Sequence, residues 1–338
     1  MALGAACGGG DDDGGDNSGA SPLMALLGAI PDTPEAASYV GYSDLGAYYD
    51  ALGVDSPPRG ASNDEFDEWL GELSEAERGD FAPLLGGAEF ALDALRDAEA
   101  FQAEIGLDPA DIRQSIEAGA PPEMYTILRG GFDSGDIGDA VENDENFADL
   151  LETETHSDVN YYTWGEDFEQ DFARNSPVHS LGRGGRLALH DDLLMWCFWT
   201  DGMTGMIDAA IDAAGSLADR PDVAAIADAL QQADVFSAQV FGGLQTPAEF
   251  GAPSASATGA GMDAEGPALT LVFAYEDAAQ AASNVATVEA GLDGIDEFEG
   301  RPWAERVDSI DVAGEGQVVV ATLHGPDLPW NFLAQGGG

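Results

Sequence analysis

The sequence predicts an α+β protein with mostly antiparallel sheets and helices on one face. Three observations predict it. Short apolar runs rich in Val, Ile, Tyr, Phe and Trp recur along the chain, each followed by an acid or hydroxyl and then a helical pattern. Two of these units carry a hairpin pattern beside them. One stretch, residues 64–118, has helical spacing instead.

The elements follow in order. "SYVGYSDLGAYYDAL" (38–52) reads as strand then helix, with Ser43 at the helix cap. In 64–118, Phe66, Trp69, Leu70 and Leu73 fall on one helical face, which predicts an inserted helical segment. Asp108-Pro109 reads as a cap with proline at the first helical position. "DPADIRQSIEAGAPP" is then expected as a short helix stopped by Gly119 and two prolines. "MYTILRGGFDSGDIGDAVE" (124–142) is the next strand–helix unit, capped by Ser134, and "DVNYYTWG" (158–165) a further strand. "GRLALHDDLLMWCFW" predicts a hairpin turning at His190–Asp192, followed by a helix capped by Thr200 or Asp201. After the strand "DVFSAQVF" (234–241), the Gly-, Ala- and Ser-rich "FGAPSASATGAGMDAEGP" (250–267) reads as a long mobile loop. "ALTLVFAYEDAAQAASNVATVEAGL" (268–292) is strand then helix, capped by Glu276 or Asp277. "RVDSIDVAGEGQVVVATLHG" closes with a hairpin turning at Ala313–Gly316, and "GGG" (336–338) is a loose terminus. The order suggests an internal duplication of a strand–helix–hairpin unit, with halves at 124–215 and 234–325.

Charge bounds the function. The chain has 64 acidic residues against 11 basic ones, a net charge of −53, and every basic residue is arginine. Its hydrophobic content, 44%, is that of a globular protein, so the acid is not the mark of a disordered chain. A compact body so charged repels itself in dilute salt. At ~1 M salt the screening length is about 3 Å, and the repulsion is largely removed. The composition resembles that of halophilic archaea and bacteria and implies a protein that requires high salt. It also excludes partners: no basic patch exists for nucleic acid, and an anionic membrane would repel the body.

Candidate chemistry is sparse. The four histidines, His156, His179, His190 and His324, form no HExxH or paired metal spacing, so no metal and no cofactor are expected. His190 beside Asp191 and Asp192 is the best local ligand group, and a polar hairpin turn accounts for it as well. "GRGGR" (182–186) places Arg183 and Arg186 in a glycine-rich turn, where guanidinium forks could hold an anion. Pairing with the protein's own acids is the plain reading of the same residues. Arg183, Arg186 and His190 are thus the candidate ligand contacts. There is no GxSxG, SxxK or adjacent Cys–His pair, so no catalytic residue is assigned. Cys197, within "LLMWCFW", reads as core.

The start of the chain speaks to location. "LGAAC" followed by "GGGDDDGGDNSGASP" resembles the lipobox and tether of secreted lipoproteins, a likeness confined to residues 1–21. The resemblance implies a lipid on Cys7 and an extracytoplasmic domain, residues 22–338, whose membrane contact is that lipid alone. A basic segment and a long apolar segment precede the cysteine in such proteins. Six residues do here, so the expectation is a reading frame that begins further upstream. Taken together, the sequence points to a lipid-anchored surface protein of a halophile, a non-enzymatic binding or structural module of unknown ligand. Two alternatives stay open: a carboxylate-dependent hydrolase of a carbohydrate or other neutral substrate, and a salt-adapted cytoplasmic protein.

Overall fold

The computed structural model describes residues 21–76, 87–144, 146–242, 250–292, 295–296, 301–302, 307–325 and 328. Cys7, the tether up to residue 20, part of the helical insertion and the end 336–338 lie outside the described residues.

The described chain is α+β. Twelve strands form one continuous antiparallel sheet, and helices cover it on both sides. The strands are β1 Tyr39–Asp44, β2 Ile112–Ala120, β3 Glu123–Gly130, β4 Leu151–His156, β5 Val159–Trp164, β6 Gly185–His190, β7 Leu193–Cys197, β8 Val235–Gly242, β9 Ala255–Asp263 and β10 Gly266–Ala274. A two-stranded ribbon follows, β11 Ile295–Asp296 and β12 Arg301–Pro302, and then β13 Ser309–Glu315 and β14 Val318–His324. The sheet order is β13-β14-β10-β9-β8-β1-β2-β3-β7-β6-β5-β4.

The helices are α1 Pro22–Leu27, α2 Leu45–Leu52, α3 Asn63–Ala76, α4 Glu89–Arg96, α5 Ala98–Ile105, α6 Ser134–Asn143, α7 Thr200–Ala210, α8 Pro221–Gln232 and α9 Ala278–Leu292. One face of the sheet packs on α1, α7 and α8 around Leu26, Met206, Ile226 and Leu230. The other packs on α2 to α6, around Tyr48, Phe66 and Phe101, and on α9, around Val288. The sequence placed the helices on one face. Alternation explains the second layer: Leu269, Leu271 and Phe273 of β10 point to α9, while Val272 and Ala274 point to α8. An antiparallel strand that is apolar on both faces needs cover on both.

The strand order repeats. β1-β2-β3-β7-β6 and β8-β9-β10-β14-β13 have the same internal order, and β1 meets β8 antiparallel at the centre, with Val40 opposite Val240. α1 precedes β1 as α8 precedes β8, and α6 follows β3 as α9 follows β10. The repeat starts at β1 rather than at residue 124, because α2 to α5 separate the first strand of the first half from its second. The β4–β5 hairpin is an addition at the edge of that half.

Two segments differ from their sequence expectation. Residues 112–120 are strand, not helix. Asp108 does cap, accepting from Ala110 N at 3.0 Å, but the turn it starts ends at Asp111. Ile112 and Ile116 are four apart, as on a helix face. A bulge between Ile112 and Gln114 sends them to opposite faces of the sheet instead. The stretch expected as a loop, 250–267, holds β9 and its turn into β10. Its small residues suit the close approach of α8: a Cβ on Gly259 would stand 2.7 Å from Leu230 Cδ2.

Candidate functional site

At two helices the aspartate before the expected cap does the capping: Asp44 accepts from Ala47 N, and Asp133 from Gly135 N and Asp136 N. Asp277, one of the two caps expected for α9, accepts from Gln280 N. At α7 the cap comes from a distant residue. Asp167 Oδ1 accepts from Thr200 N at 2.9 Å, from Thr200 Oγ1 at 3.0 Å and from Arg186 Nη2 at 2.6 Å.

That contact settles one candidate. Arg186 is 4% exposed, and its guanidinium is committed to the protein itself. Nε donates to Thr200 Oγ1, Nη1 to the carbonyls of Trp164 and Gly185, and Nη2 to Gly165 O and Asp167. No donor remains for a ligand, and the anion-contact expectation for Arg186 is corrected. Arg183 lies over the ring of Phe198, 5.2 Å from its centroid. His190 sits at the other end of β6, roughly 13 Å along the strand by its four-residue separation. Its Nε2 is 3.7 Å from Asp191 Oδ2. It borders a cavity of about 330 Å³ with Ser134, Thr153, Asn160 and Tyr162. The three candidates therefore do not converge. Cys197 is fully buried, its Sγ 3.1 Å from Trp199 O, and burial pushes its thiol up to about 12.

The structure gathers two other features. The first is an apolar spot on the segment between β5 and β6. Phe172 is 69% exposed, and Phe168 and Leu181 on the same segment are also exposed. The segment is firmly held. Gln170 and Arg183 form a bridge, and Asp171 N donates to Gly182 O at 3.1 Å. A Cβ on Gly182 would stand 1.7 Å from Asp171 O, so only glycine permits this approach. Arg174 pins the segment to the turn after α6 through both oxygens of Asp149 and the carbonyl of Asn146. Asp171, next to Phe172 in the chain, pairs with Arg174 as Asp149 does.

The second feature lies beneath that segment. His179, 1% exposed, points its Nε2 toward Asp144 Oδ2 at 3.7 Å and Glu104 Oε2 at 4.0 Å. The three donor atoms lie within 4.8 Å of one another. Trp164 Nε1 donates to His179 Nδ1 at 3.1 Å, and Phe147 packs on the ring. Glu104 Oε2 accepts from Ser176 Oγ. Burial raises the Glu104 carboxyl above its ordinary range, against that hydrogen bond. The gap between these side chains leaves no room for a water-sized sphere, so an organic substrate cannot enter it. Sequence reasoning missed this trio because its members come from α5, from the turn after α6 and from the segment before β6.

No family model and no curated protein matches the chain. Among solved structures, crystal form I of TP0453 aligns over 93% of this chain and 98% of its own, at 9% identity and TM-score 0.40. Crystal form III of TP0453 aligns over 91% and 97%, at 6% identity and TM-score 0.39. At such values the likeness assigns neither family nor function.

Proposed function

We propose that the protein is a salt-adapted, lipid-anchored surface module of a halophile that binds or scaffolds a partner and does not turn over a substrate. The observation that carries the binding part is the exposed Phe172 on a firmly held segment. An aromatic side chain left 69% in water gains most when a partner covers it. Concentrated salting-out salts strengthen that gain. The anchoring part rests on the lipobox-like "LGAAC" and the Gly/Asp stretch after it. Nucleic acid is not a partner in this reading, and the membrane is touched only through Cys7.

The test is co-sedimentation in concentrated salt with envelope fragments of the cells that make the protein. Wild type is expected to sediment with them, and the double variant F172S/L181S to stay in solution with an unchanged circular dichroism spectrum. Equal sedimentation of both would reject Phe172 as the contact. Mass spectrometry of the cellular protein tests the anchor: a lipid on Cys7 is expected, and unmodified Cys7 in the soluble fraction would overturn it.

A further inference from the structure

We propose that Glu104, Asp144 and His179 form a closed site for one divalent metal ion of the zinc class, an inference independent of the surface-binding reading above. Two carboxylates and an imidazole are donor types that such ions accept. Asp144 is 6% and His179 1% exposed. Among the described residues, neither His179 Nε2 nor Asp144 Oδ2 has a partner at hydrogen-bond distance, yet both aim into the same gap.

Charge makes the case. The two carboxylates have His179 as their only ion-pair partner among the described residues. The nearby Arg174, over the Phe147 ring, is committed to Asp149 and Asp171. The imidazole cannot supply the missing positive charge as it stands. Trp164 donates to Nδ1, so that nitrogen is an acceptor, and the single ring proton is on Nε2. The buried Asp144 and the half-buried Glu104 beside a neutral ring are less costly when a cation joins them.

The geometry suits an ion better than a water. Donors on a tetrahedral ion with bonds of about 2.0–2.2 Å stand roughly 3.4 Å apart. Here the nitrogen–oxygen separations are 3.7 and 4.0 Å and all three donor atoms lie within 4.8 Å of one another, so the side chains must draw together to bind an ion. A bound ion needs no water-sized space, and Glu104 can supply a second oxygen, whereas Asp144 Oδ1 already accepts from Asn146 N. Ligation through Nε2 moves the ring proton to Nδ1, which ends the Trp164 hydrogen bond. Two N–H groups would then face each other at 3.1 Å, so the indole must turn away, and it becomes a reporter of occupancy. The ion would tie α5, the turn after α6 and the segment before β6 into one unit.

The experiment titrates Zn²⁺ into the full chain after chelator treatment, in concentrated sodium sulfate with excess Mg²⁺ to occupy surface acids. Calorimetry, tryptophan emission and the thermal midpoint are read together. The expected result is one tight equivalent, an emission change that saturates with it, and a raised midpoint. H179Q and E104Q should each weaken that equivalent by on the order of 100-fold and remove the emission change. E104Q, at the more exposed ligand, decides the matter if H179Q fails to fold. Weak binding at many sites, alike in wild type and variants, would overturn the proposal. So would a tight equivalent that survives E104Q.

Discussion

Glu117 of β2 reaches across the sheet face and accepts a hydrogen bond from Phe90 N, in the first turn of α4, at 2.9 Å. Burial raises its carboxyl from 4.5 to about 7, although the backbone hydrogen bond opposes the shift. The folded state therefore holds the proton more tightly than the unfolded chain. Its contribution to stability is complete below pH 4.5, is lost as pH rises toward 7 and is level beyond. The size is on the order of 3 kcal/mol. E117Q should flatten that part of the pH dependence and be the more stable protein at pH 8, measured by thermal unfolding in concentrated salt at pH 5 and 8. Parallel profiles for variant and wild type would refute the assignment. Arg186 makes the opposite case, a charge whose donors are all used within the fold. R186Q is expected to cost about 3 kcal/mol, because Asp167 loses its cation and the carbonyls of Trp164, Gly185 and Gly165 lose their donor. Chemical denaturation in high salt would measure it, and a loss under about 0.5 kcal/mol would contradict the network.

At the scale of elements, β9 is where composition misleads. "ASATGAGMD" reads as linker, yet seven of its nine residues are buried between α8 and the opposite layer. Small side chains are what let α8 lie close. G259V is expected to push Leu230 and Val235 aside and cost about 1–3 kcal/mol. A thermal midpoint unchanged from wild type would show that α8 has room to move. Other elements were legible. The β6–β7 hairpin turns at Asp191–Asp192, between the His190 and Leu193 pair, within the span the sequence indicated. The amphipathic α3 buries Phe66, Trp69 and Leu73. These are local signals, an alternation or a stripe, and they survive without knowledge of neighbours. The bulge at Ile112/Gln114 is not local, since it depends on pairing with β3.

For the whole molecule, the net charge of −53 makes the salt-adapted reading testable. Circular dichroism is expected to show a folded spectrum at about 2–3 M KCl and an unfolded one near 10 mM, where screening extends to about 30 Å. Cooperative folding in the dilute buffer would remove the salt-adapted reading. The sheet exposes two edges, β13 and β4, and both carry acids: Asp311 and Glu315 on one, Glu152 and Glu154 on the other. Charged edges discourage edge-to-edge pairing, and in concentrated salt that protection is weaker. The repeated strand order about β1 and β8 shows the architecture as two similar halves.

The sequence by itself determined the class of fold, the cores of most strands and helices, and the acidic surface. Each of these is written in composition or in a short period. Only the tertiary structure decided how many faces of the sheet are covered, since that depends on which strands lie side by side. It also decided which polar residues meet. Arg186 and His190 are near in sequence and sit apart on one strand. Glu104, Asp144 and His179 are far apart in sequence and converge, because α5, the turn after α6 and the segment before β6 pack around Trp164. Side-chain chemistry is carried by residue type, but its concentration at one point is a property of packing.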